Sequence, residues 1–212
     1  MRNRISPIPS GKAVICLSAT IAKNAPSSAE RVLAILGSPR ADGLSARMLD
    51  AFLTELPKGT AVTRISCYDR RPIPCDDCRY CYHREGCSKR DLDDFYAALE
   101  EADLVVIATP VYHLSFPAPL KALIDRLQRY WSARFILGKR PPISKGKRLV
   151  LLTASGSGSP EGGPLLEKQL APPLTVIHAV LAERVHAVGA DSPDFEPAPY
   201  LEAARLAAHR MV

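Results

Sequence analysis

No apolar run in the 212-residue chain reaches the ~18 residues that a membrane-spanning helix requires, so none is expected to cross a bilayer. Dense Lys/Arg blocks interleaved with aromatics are equally missing, and with them the electrostatic footprint of a nucleic-acid surface. A formal net charge of +6 still favours anionic partners such as phosphorylated cofactors or acidic redox proteins. There is no internal repeat. Nor is there a clean export signal: "MRNRISPIPSGK" followed by "AVICLSATIA" imitates a basic lead and a short apolar segment, but two prolines break the lead and no A-x-A site follows. Residues 1–30 are therefore expected to form a retained N-terminal arm, poorly ordered or solvated, with Cys16 incidental and the protein cytoplasmic. The remaining composition is ordinary, 47% hydrophobic and 24% charged, and can bury one full core.

From residue 31 the sequence alternates between two periodicities. "RVLAILGSPR" is a short apolar run that ends in a Gly/Ser/Pro loop, as a buried parallel strand does. Leu44, Met48, Phe52 and Leu56, with Leu49 and Leu53 beside them, recur at helical spacing until "LPKG" stops them. "TAVTRIS" reads as a second strand, "DLDDFYAALEEA" as a helix with acidic residues in its first turn, and "DLVVIATPVY" as the clearest buried strand. One helix is expected from about Pro117, with Leu120, Ile124, Leu127 and Trp131 on a single face. "KRLVLLTASGSGS" repeats the strand-and-loop theme, "ERVHAVGA" is a weak fifth strand, and "PYLEAARLAAHRMV" closes with an amphipathic helix. Strands alternating with helices imply an α/β protein with a parallel sheet, whose ligands bind beyond the carboxyl ends of the strands.

Three of those strand ends carry loops of ligand-binding type. "GSPRADGLS" is not a Walker A loop, because Leu44 and Ser45 follow Gly43 where Lys-Ser/Thr is required. It is not G-x-G-x-x-G either, and the second strand ends in Ile65-Ser66-Cys67 without the acidic residue that holds an adenosine ribose. What is left is a hydroxyl-rich turn, with Ser38, Arg40 and Ser45, running onto a helix N-terminus that suits a phosphate monoester. A turn without a ligand reads equally well from this loop alone. In "TPVYHLS", Tyr112 can flank a planar ring; in "TASGSGS", Ser155, Gly156 and Ser157 let backbone approach a ligand closely.

The cysteines are the least ordinary feature. Four of the six lie within "CDDCRYCYHREGC" as C-x2-C-x2-C-x5-C: Cys75, Cys78, Cys81 and Cys87. Zinc ribbons usually split their ligands into two distant pairs, whereas the C-x2-C-x2-C run wraps three corners of a [4Fe–4S] cluster. Zinc and free or redox thiols stay open beside the cluster; disulfides suit a small secreted domain better than this chain.

In wording and spacing, residues 31 to about 155 resemble the flavodoxin-like NAD(P)H-dependent FMN reductases, and among them the iron–sulfur flavoprotein branch. "GSPRADGLS" resembles that family's phosphate loop, "PCDDCRYCYHREGCSKRDLDD" its compact cysteine motif, and "ADLVVIATPVY" with "LKALIDR" its flavin-ring loop and following helix. Leu44-Ser45 stands where Asn-Thr is usual, His113 where Phe is common, and Pro117 where Ser is frequent. The resemblance implies a flavodoxin-like, doubly wound, five-stranded parallel sheet of order 2-1-3-4-5 over residues 31–212, with a cysteine-rich insertion at 67–90. It implies FMN held by Ser38, Arg40, Asp42, Gly43, Leu44 and Ser45, by Pro110, Val111, Tyr112 and His113, and by Ala154, Ser155, Gly156 and Ser157. It implies a [4Fe–4S] cluster on Cys75, Cys78, Cys81 and Cys87, NAD(P)H as electron donor, a small-molecule or protein acceptor, and a homodimer or homotetramer. No acid–base dyad or nucleophilic triad is expected, since the flavin carries the chemistry. A cluster-free quinone or FMN reductase, a flavodoxin-like electron carrier and a zinc-stabilised binding module are the alternatives.

Overall fold

A computed structural model describes residues 30–211, so all but the last residue of the expected arm, Cys16 included, lie outside the described residues. Five strands form one sheet in the order β2-β1-β3-β4-β5. They are β1 Arg31–Leu36, β2 Ala61–Ser66, β3 Leu104–Pro110, β4 Lys147–Ser155 and β5 Ala179–Val188, and every neighbouring pair runs parallel. This is the expected doubly wound, flavodoxin-like arrangement. Between them run α1 Leu44–Thr54, α2 Cys67–Arg70, α3 Tyr80–His83, α4 Asp93–Glu101, α5 Ala118–Asp125, α6 Gln128–Phe135, α7 Gly162–Val176 and α8 Ala198–His209.

The continuous apolar strands exist because both faces of the sheet are covered. Leu33, Ile35, Val105 and Ile107 point into one core with Phe95, Leu99, Leu120 and Leu166 from α4, α5 and α7. The alternate residues Val32, Ala34, Val106 and Ala108 enter a second core with Met48 and Phe52 of α1 and Ala204 and Ala208 of α8. Each large apolar side chain so buried contributes roughly 1.5–3 kcal/mol. At the end of β1 the packing leaves no room for a side chain: a carbon on Gly37 would lie 2.6 Å from Leu120 Cδ2. The phosphate-type loop therefore starts flush against α5.

Two elements depart from the sequence pattern. The single helix expected from Pro117 is two, because Leu127 N–H turns back to Ile124 O at 3.0 Å and Tyr130 N–H to Leu127 O at 2.9 Å. These three-residue turns tighten the chain and shift its phase. Leu120, Ile124 and Leu127 are buried as expected, but Trp131 is rotated outward to 38% exposure. The fifth strand is longer than "ERVHAVGA", beginning at Ala179 beside β4. The cysteine-rich insertion follows β2 and holds the short helices α2 and α3.

Candidate functional site

Ligand-binding geometry begins where β1 ends. Ser38 Oγ accepts from Arg40 N–H at 3.2 Å and donates to Arg40 O at 3.3 Å, closing a tight side-chain turn. The chain then enters α1 through Gly43, which caps with no side chain, and no acidic residue stands in the first turn. The first amide N–H groups of α1 thus keep free donors and an uncompensated positive dipole end. Leu44 and Ser45, the first two residues of that turn, line a cleft with Arg40 and Arg47.

The other strand ends build the opposite walls. Val111 N–H donates to Ala154 O at 2.8 Å, tying the loops after β3 and β4 together. Tyr112 and Ser115 then exchange both backbone hydrogen bonds, at 3.0 and 2.9 Å, across His113 and Leu114 in left-handed conformation with φ of 50° and 59°. Non-glycine residues pay for that conformation sterically, so something must hold it. Gln169 of α7 does so: its Nε2 donates to Leu114 O at 3.0 Å while its Oε1 accepts from Ser115 Oγ at 2.9 Å. Tyr112 and His113 are thereby presented, exposed, at the mouth of the cleft. After β4, Ser155 Oγ donates to Ser157 O at 3.1 Å. That loop is also seamed to the one after β5, by Gly189 N–H to Ser157 O, Ala190 N–H to Ser155 O and Asp191 N–H to Gly156 O, at 2.8, 2.9 and 3.2 Å.

Together these loops enclose about 740 Å³, within the size range of small-molecule sites. Every expected flavin-loop residue lines the cleft except Asp42, which is exposed and stands outside it. The β5 side was missed: Ala190, Asp191, Phe195 and Pro197 also line the cleft. Their only sequence signal was the Gly/Asp turn "GADSPD" after a strand. The residues present fit FMN: an uncapped helix start with two arginines at one end suits its phosphate, and small or planar groups at the other suit its ring.

A second, smaller pocket, of about 20 Å³, is lined by all four clustered cysteines. The insertion reaches it through left-handed Asp77 and Arg79, at φ 51° and 58°. Cys78 Sγ lies 3.1 Å from Ser88 Oγ and Cys81 Sγ 3.3 Å from Ser132 Oγ of α6. The Ser88 contact, helped by the Tyr80 N–H, holds the Cys78 thiol below its ordinary value. Cys67, by contrast, is sealed in the core, where burial pushes its thiol up to about 12 and leaves it inert. No three His, Cys, Asp or Glu side chains among the described residues are gathered closely enough to hold a metal ion. The fit to a cluster is therefore one of donor chemistry, four free thiols around one pocket.

Arg126, at the end of "LKALIDR", carries no sequence signal of its role, because a charged residue within an expected helix normally faces water. It is 2% exposed. Its Nη1 donates to Ile73 O at 2.8 Å and Asp91 Oδ1 at 2.9 Å, and its Nη2 to Lys89 O at 2.9 Å, clasping both ends of the insertion. Burial raises the Asp91 carboxyl, but the Ile73 N–H and the guanidinium outweigh it and hold the group below its usual range.

Against known proteins, residues 31–192 match the family described as NADPH-dependent FMN reductase. An iron-sulfur flavoprotein of Archaeoglobus fulgidus is 34% identical over 133 residues, 62% of this chain and 57% of that one. Another, of Methanocaldococcus jannaschii, is 34% identical over 128 residues, 59% and 62% of the two chains. The chain thus spans about three fifths of the length of these curated relatives. Among solved structures, an NAD(P)H:quinone oxidoreductase from Methanothermobacter marburgensis shares the fold at a TM-score of 0.67 and 20% identity, covering 87% of this chain and 100% of that one. With the matched family spanning most of the described residues, the chain belongs to the NADPH-dependent FMN reductase family.

Proposed function

We propose that this protein is an FMN-dependent oxidoreductase that takes electrons from NAD(P)H and releases them through a [4Fe–4S] cluster held by Cys75, Cys78, Cys81 and Cys87. The observation that carries the reading is the convergence of four strand-end loops, after β1, β3, β4 and β5, on one cleft of about 740 Å³. Bound there, FMN supplies the exchange between a hydride's electron pair and single electrons. The chain's part is to bind and orient. Arg40, Ser38 and the α1 amides face the phosphate end, while Val111, Tyr112 and the Ser155–Ser157 loop face the ring end. The turn held by Gln169 keeps Tyr112 and His113 at the mouth, where nicotinamide and acceptor must arrive.

The cluster reading rests on four free thiols around one pocket and on the names of the two relatives above. A cytoplasmic homodimer or homotetramer completes it, since thiolates need a reducing compartment; no helix among the described residues is long and apolar enough to cross a membrane. A cluster-free NAD(P)H:quinone reductase is the second reading, favoured by the lack of a gathered metal-ligand group among the described residues. Anaerobic titration of FMN-loaded protein with NADPH and NADH tests the shared part. Stoichiometric bleaching of the flavin absorbance is expected; an unresponsive flavin overturns the reductase.

A further inference from the structure

We propose that Arg126 is a positioning residue for the thiol pocket whose Nε serves as a hydrogen-bond donor, and whose charge as a counter-ion, to the sulfur-bound group that the four cysteines hold. The inference rests on the cluster reading of those cysteines.

Its first support is an unpaired atom. A guanidinium carries five N–H donors. Both Nη atoms of Arg126 are engaged by Ile73, Asp91 and Lys89, yet Nε is buried without a partner, alone among the buried side-chain nitrogens and oxygens of the described residues. Native proteins rarely leave such a donor empty. Arg126 also lines the pocket with the four thiols, so a group held by them is the partner we assign to that donor.

Charge is the second support. Besides the cysteines, the pocket is lined by the cations Arg79, Lys89, Arg126 and Arg129 against the carboxylates Asp76 and Asp77, four positive to two negative. Lys89 is paired with Asp76 at 2.6 Å and Arg79 with Asp77 at 3.4 Å. Arg126 and Arg129 have their carboxylates outside the lining, Asp91 bonded to the first at 2.9 Å and Glu100 3.8 Å from the second, so the four ion pairs balance while the pocket wall itself carries the cationic partners. Of the two, Arg126 is the buried one, its side chain 1% exposed, where solvent screening is weakest. Four thiolates around a [4Fe–4S] core carry net negative charge, and each electron accepted adds one more with no proton. A fixed buried cation favours that reduced form, so Arg126 raises the reduction potential.

A purely mechanical clasp at Ile73 and Lys89 would affect assembly alone. Wild type, R126K and R126Q are reconstituted anaerobically with iron and sulfide, assayed for both, and titrated with dithionite and mediators while the visible spectrum is followed. FMN affinity and the thermal midpoint report whether the fold stands. R126Q, which removes both the charge and the Nε donor, is expected to shift the one-electron equilibrium at least tenfold toward the oxidised form, ~59 mV, and R126K, which keeps the charge but lacks the Nε donor, to fall about threefold. An unchanged potential in cluster-bearing R126Q overturns the proposal, as does an R126K that falls as far as R126Q. Should R126Q take up no iron, R126K decides: a fall of about threefold supports the proposal, and either an unchanged potential, which excludes the Nε donor, or a tenfold fall, which excludes the charge, overturns it. Wild-type protein that binds FMN but no iron and sulfide overturns the cluster reading itself, and the proposal with it.

Discussion

The Asp191 carboxylate lies so tightly over Gly156 that a side-chain carbon placed on Gly156 would collide with it. The contact joins the loop after β4 to the loop after β5 at the wall of the cleft, on the backbone bond from Asp191 N–H to Gly156 O. Gly156→Ala is expected to push the two loops apart and weaken FMN by about 1–3 kcal/mol, the usual range for overpacking. Asp191→Ala should restore much of that loss when combined with it. Calorimetric FMN titration of the four proteins measures the coupling; strictly additive effects would show that the two residues act independently.

At the other end of the cleft, Arg40→Ala and Ser45→Ala are each expected to weaken FMN by about 1–3 kcal/mol if they bond its phosphate. Riboflavin, which lacks the phosphate, is the control. Its binding should hardly change, and an equal loss for both ligands would remove the phosphate assignment.

Most of this scaffold was legible in the sequence, for a physical reason. Strands covered on both faces must be apolar throughout, so "RVLAIL" and "LVVIATP" announced themselves, and their loops marked the cleft. What stayed hidden obeys tertiary rather than local rules. The helix α7 carries Pro172 and Pro173 in its interior, which reads as a break, yet Leu166, Leu170 and Leu174 are buried at four-residue spacing and hold it to the sheet. Trp131 was misplaced because nothing in "IDRLQRYW" signals the tightened turn at Leu127. Arg126 and Asp191 are charged residues whose roles come from partners distant in the sequence, at Ile73, Lys89 and Gly156.

Buried His186 makes stability acid-sensitive. Its Nε2 accepts from Gly163 N–H at 3.3 Å, so Nδ1 carries the proton, donated to Thr153 Oγ1 at 2.6 Å. Burial, only partly offset by Thr153, lowers its pKa below the ordinary ~6.5. Below that ordinary value the unfolded chain binds a proton that the folded one refuses, so stability is full above about pH 6.5 and falls as pH drops toward the depressed pKa. Thermal midpoints at pH 7.5 and 5.5 should separate more in wild type than in His186→Gln. Equal separations would exclude the imidazole as the cause.

Because the thiols belong to an insertion after β2 and the flavin loops to the sheet, the two sites should be separable. Cys78→Ser is expected to abolish cluster assembly while FMN affinity stays within about 0.5 kcal/mol and bleaching by NAD(P)H persists. Stopped-flow absorbance with one-electron and two-electron acceptors distinguishes the outlets. Single-electron transfer should slow and quinone reduction continue; an unchanged single-electron rate would make the cysteines structural.

The most direct measurement is the flavin, iron and acid-labile sulfide content of the protein purified without oxygen. One FMN with about four iron and four sulfide per chain is the expected result. Flavin without iron would contradict the cluster and leave the quinone reductase, and zinc without flavin would contradict the account as a whole.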